Sequence, residues 1–108
     1  MADSGIRQSP IDIIPGSSVP DQSLPELFLS YSPTPIKLIN NGFTWVLDLD
    51  SQDSKSTISG GPLLDEYRVA QVHAHWGDKG GRGSEHWLDG KIFDAEIHIV
   101  HYNSKVVK

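Results

Sequence analysis

The chain carries five histidines, His73, His75, His86, His98 and His101, and no cysteine. His73 and His75 are two residues apart. In an extended strand, positions i and i+2 share a face about 6.6 Å apart, so two imidazoles at this spacing can converge on one ion above a sheet. Gln71 lies on the same face, two residues earlier. In a second apolar run, Glu96, His98 and Val100 share a face by the same rule. If the two runs pair as strands of a long-looped hairpin, His98 completes a three-nitrogen site. Neutral imidazole suits zinc, with Zn–N near 2.0–2.1 Å. Three protein nitrogens leave the fourth tetrahedral position open, which is the arrangement of a catalytic rather than a structural zinc. A ligating imidazole needs its other N–H held by an acceptor, and Gln71 and Glu96 are placed to serve.

Other readings fit the same residues. A His-x-His pair is also compatible with a half-buried or solvated strand pair. A jelly-roll metal site also begins with His-x-His, but adds a carboxylate ligand three or four residues on, where this chain has Asp78 and Lys79. Glu85 and His86 lie in a Gly-rich segment and read, by themselves, as surface residues. His101 points away from His98 by strand parity, which fits packing. Trp45, Trp76 and Trp87 read as core aromatics.

The elements that must position these residues are mostly strands. At 108 residues the chain is at most one small domain with a modest core. Ten Gly and seven Pro argue against long helices. Residues 1–35 are broken by Pro10, Pro15, Pro20, Pro25, Pro33 and Pro35, and Leu24 to Leu29 could form one helical turn. Ile36 to Ile39 reads as a short strand, Asn40-Asn41-Gly42 as a tight turn, and Phe43 to Leu49 as an alternating strand, together a hairpin. Asp50 to Lys55 reads as a polar loop and Thr57 to Ser59 as a short strand that Gly60-Gly61-Pro62 ends. Glu66 to Trp76 and Ile92 to Tyr102 are strand-like, with residues 77–90 as the connection. The net charge of −5 gives no basic stripe for nucleic acid. The absence of cysteine excludes a disulfide scaffold, a thiolate zinc finger and cysteine catalysis, and fits a reducing compartment. No signal peptide is visible at Met1-Ala2-Asp3-Ser4, and no apolar run reaches bilayer length. These features lean toward a cytoplasmic protein that does not engage membranes.

The words QVHAHWG, GSEHWLDG and AEIHIVHYN, in this order and spacing, closely resemble the alpha-class carbonic anhydrases. RQSPIDI (Arg7 to Ile13), NNGF (Asn40 to Phe43) and ISGGPL (Ile58 to Leu63) resemble further blocks of that family. The resemblance runs from about Arg7 to Asn103. It implies an α+β family fold, here a mostly β domain over 1–108 with a partial mixed, largely antiparallel sheet carrying a His₃ zinc site. His73, His75 and His98 match the zinc ligands, and Gln71 and Glu96 the groups that hold ligand histidines. Glu85 matches the buried catalytic glutamate that orients a threonine hydroxyl beside the metal. His86 matches a buried structural histidine, and Val100 one wall of the carbon dioxide pocket. The implied reaction is hydration of carbon dioxide to bicarbonate by zinc-bound hydroxide.

Two departures qualify that expectation. Phe43 occupies the position where fast members carry a proton-shuttling histidine, and phenylalanine cannot titrate. The chain also matches only the N-terminal portion of a family domain, as a truncated product would. The threonine and the rest of the pocket wall lie in the unmatched part, and a ligand strand is expected to be left as an exposed edge. The alternative to an enzyme is a non-catalytic, carbonic-anhydrase-like zinc-binding or interaction module.

Overall fold

The computed structural model describes residues 5–33, 37–49, 55–78 and 80–106. The longest strand runs through QVHAHW. Its alternation of Tyr67, Val69, Gln71, His73 and His75 against Arg68, Ala70, Val72, Ala74 and Trp76 gives ten extended residues, Tyr67–Trp76. In chain order the strands are β1 (Asp12–Ile13), β2 (Leu27–Ser30), β3 (Lys37–Asn40), β4 (Trp45–Asp48), β5 (Thr57–Gly60), β6 (Tyr67–Trp76), β7 (Trp87–Leu88) and β8 (Ala95–Asn103). Among the described residues the only helical element is a 3₁₀ turn at Pro15–Ser17. None is long and apolar enough to cross a membrane.

Six strands form one sheet in the order β2-β5-β6-β4-β3, with β8 also pairing β6. The β2–β5, β5–β6, β6–β4 and β4–β3 pairs are antiparallel. The β1–β7 pair is parallel, so the fold is mostly β, mixed and largely antiparallel. β6 is therefore interior to the sheet, whereas β8 pairs β6 alone among the described strands.

The chain divides into two compact units: residues 1–20 with 74–97, and residues 21–73 with 98–108. In the first, β1 and β7 pair through Asp12↔Trp87 and Ile13↔Leu88. The Asp12 carboxylate anchors the turn after β7 by accepting the Gly90 N–H at 3.0 and 3.1 Å. The backbone N–H groups of Gly83 and Ser84 both donate to the Phe93 carbonyl, at 2.8 and 2.9 Å. A Cβ on Gly83 would overlap the Asp94 carbonyl, so this approach of two backbones requires glycine.

In the second unit, β3 and β4 form the expected hairpin. Asn41 Oδ1 accepts the N–H groups of Phe43 and Thr44, both at 2.9 Å. Gly42 takes φ +88°, which glycine adopts without a Cβ penalty. Among the described residues the fully buried apolar side chain of this unit is Val69, 2% exposed; Ala74, 6% exposed and also on β6, belongs to the first unit.

Two expectations need correction. Leu27 to Ser30 is a strand rather than a helical turn. Pro25 disfavours α geometry at Leu24, and pairing of all four residues with β5 supplies the backbone partners that a helical turn would lack. The 77–90 connection itself contains β7. Trp76 and Trp87 are not core residues, being 51% and 43% exposed. The polar-loop reading at 50–55 falls outside the described residues except at Lys55, as does the expected strand start at Ile36.

Candidate metal centre

β6 and β8 carry the histidines. His73 lies directly across from Val46 of β4, and Gln71 directly across from Asp48. Gln71 reaches along its own strand, and its Oε1 lies 3.0 Å from His73 Nδ1. An amide oxygen only accepts, so Nδ1 carries a proton, and in the neutral ring Nε2 then keeps its lone pair. That is the state in which Nε2 can ligate. The His98 ring meets the His73 ring edge-on, with centroids 5.1 Å apart and planes at 75°. His75 follows two residues after His73 on the same face of the same strand. All three histidines are half-buried; the contact between the His73 and His98 rings lies within the unit of residues 21–73 and 98–108.

Glu85 differs from the expectation of burial: its side chain is 38% exposed, and its Oε1 lies 3.4 Å from His75 Nε2. Glu96 gathers the segment just before β7. Its Oε1 accepts the backbone N–H groups of Glu85 at 3.0 Å and His86 at 2.7 Å. Its Oε2 lies 2.8 Å from His86 Nδ1. Because a carboxylate accepts only, that nitrogen is the donor. His86 is half-buried rather than fully buried. Val100 shares the His98 face of β8 by alternation and is 37% exposed. Phe43, at the tip of the β3–β4 turn, is 90% exposed.

His101 packs, as parity suggested. Its Nε2 is 2.7 Å from the Tyr31 hydroxyl, and the two rings stack at 6.0 Å. Burial lowers the pKa of His101 and raises that of Tyr31. At the end of β8, Lys105 Nζ and Asn103 Nδ2 donate to Asp65 at 2.8 and 2.9 Å. These bonds, that from Lys105 first, hold the Asp65 carboxyl below its ordinary pKa. Sequence reasoning missed these contacts, and it missed the placement of Asp48 opposite Gln71. Alternation put Asp48 on the Val46 face, but only the β4–β6 register places it beside Gln71.

The profile of the eukaryotic-type carbonic anhydrase family matches residues 1–108. Among curated proteins, the chain is 45% identical over 102 residues to carbonic anhydrase 7 of Homo sapiens, and equally so to that of Mus musculus. Each alignment covers 94% of this chain and 39% of the relative. It is 46% identical over 101 residues to carbonic anhydrase 5B, mitochondrial, of Homo sapiens, covering 93% of this chain and 32% of that protein. The chain thus spans about two-fifths or less of the length of these relatives.

Proposed function

The chain belongs to the eukaryotic-type carbonic anhydrase family, and from that premise we propose that His73, His75 and His98 hold one zinc ion serving the hydration of carbon dioxide to bicarbonate. The observation that carries this reading is the edge-on approach of the His73 and His98 rings with His73 held in its Nδ1–H form by Gln71, His75 following two residues on along the same face of β6. Three neutral nitrogens suit a borderline-soft, tetrahedral cation and leave one position open. When bound, zinc would acidify a water enough to supply hydroxide near neutral pH.

The chain's own residues then have distinct tasks. Gln71 orients His73. Glu96 fixes the backbone at Glu85 and His86, and so sets where the Glu85 carboxylate stands. Glu85 is assigned the hydrogen-bonding role beside the metal that the resemblance gives it. Val100 contributes an apolar surface on the His98 face. Phe43 cannot carry a proton, so regeneration depends on an external base. The substrate is a small molecule, and a cysteine-free composition fits a reducing compartment such as the cytoplasm.

The exposure of Glu85 and Val100 favours a second reading, in which the chain binds zinc without efficient turnover. Zinc content and carbon dioxide hydration measured on one purified sample separate the two. A single zinc per chain with sulfonamide-inhibitable hydration, accelerated by imidazole buffer, supports the enzyme. Zinc without hydration supports the binding module. Absence of zinc, or unchanged zinc affinity in His75→Ala, overturns the site.

A further inference from the structure

The antiparallel registers align two rows across β3, β4 and β6. One is Lys37, Asp48 and Gln71, and the other is Ile39, Val46 and His73. Directly paired residues share a face, with Cβ atoms about 4.5–5.5 Å apart. Lys37, Asp48, Gln71 and His73 therefore lie on one face of the sheet, and all belong to the unit formed by residues 21–73 and 98–108. We infer that Asp48 is a positioning residue, whose carboxylate accepts from the Gln71 amide and thereby selects the His73 tautomer that can ligate through Nε2. The consequence for zinc rests on the function proposed above, whereas the tautomer argument does not.

The physical chain is short. Gln71 uses Oε1 on His73 Nδ1, which leaves its NH₂ group to find acceptors. A primary amide can rotate by half a turn and exchange its oxygen for its nitrogen. Rotated, Gln71 would present N–H to His73 Nδ1. The imidazole would then have to accept there and carry its proton on Nε2, the nitrogen a metal needs free. A partner that can only accept, standing on the other side of the amide, makes that rotation unfavourable. Asp48 is the residue directly opposite Gln71, and it is half-buried, where an acceptor is worth more than in water.

The test reads the tautomer directly in the zinc-free chain, from the imidazole nitrogen shifts of His73. The wild type should be predominantly Nδ1–H. Asp48→Val, β-branched to suit a strand, should shift His73 toward a mixture with Nε2–H. It should also weaken zinc about tenfold in chelator competition, at the lower end of the effect seen for groups that orient metal ligands. Asp48→Asn, whose amide can donate as well as accept and so can rotate together with that of Gln71, should shift His73 part of the way toward that mixture. Adding Gln71→Glu to Asp48→Val should restore the Nδ1–H form, because a carboxylate accepts from either oxygen. A folded Asp48→Val chain with an unchanged His73 tautomer overturns the inference. If that variant does not fold, the wild type still decides: Gln71 amide protons exchanging as fast as those of a free glutamine overturn it, and protected ones support it. A wild type that binds no zinc defeats the metal reading and leaves the tautomer result standing.

Discussion

Glu96→Gln isolates the charge of the carboxylate that gathers the segment before β7. Glu96 is 16% exposed at its side chain and accepts two backbone N–H groups at 3.0 and 2.7 Å. Hydrogen bonds to a charged group contribute about 1.5–3 kcal/mol, and neutral ones about 0.5–1.5. Gln keeps an oxygen for both N–H groups but loses the charge, a cost of about 1 kcal/mol each. The third contact, to His86 Nδ1, adds little, because the imidazole can change tautomer and accept from the new NH₂ group. The sum is about 2 kcal/mol, which for a chain of this size lowers Tm by roughly 8–16 °C. Urea midpoints and thermal melts measure it, and native-state exchange of the Glu85 and His86 amides localises it. Loss of less than about 0.5 kcal/mol, the range of ordinary surface substitutions, with unchanged exchange at those two amides, would refute the reasoning.

The remaining predictions concern pH and packing. Burial holds His101 below its ordinary pKa of 6.5, so the unfolded chain binds that proton more readily. Stability should therefore fall as pH drops from about 6.5 toward the folded value, and His101→Phe should remove that part of the slope in urea titrations; equal slopes in the two chains would contradict it. Gly83→Ala places a methyl group against the Asp94 carbonyl and the Gly77 nitrogen, which backbone atoms cannot avoid. It should cost about 3 kcal/mol or more, and a melt within a degree or two of the wild type would count against the close approach.

Legibility in the sequence followed the range of the forces involved. β6 was readable because Gln71 to Trp76 alternate polar and apolar residues within a ten-residue run free of Gly and Pro. The β3–β4 hairpin was readable because Asn41 and Gly42 encode its turn locally. β2 and β7 were not. Four residues and two residues carry too little pattern, and their extended form is set by β5 and β1, partners distant in sequence. Trp76 and Trp87 misled because aromatic bulk predicts burial only where a second layer covers the ring. The pairing of Tyr31 with His101, 70 residues apart, has no local signal at all.

The candidate metal centre divides along the same line. Spacing placed His73 and His75 on one face, and spacing also offered Gln71 as the acceptor that His73 uses. Spacing also put Glu96 on the His98 face, but it could not show that the carboxylate accepts the two N–H groups before β7 and the ring N–H of His86 as well, because those groups come from a separate segment and no local pattern encodes their approach. Spacing can therefore nominate the atoms that meet a metal. Which nitrogen of each ring is free to do so depends on cross-strand neighbours such as Asp48, and those follow from register.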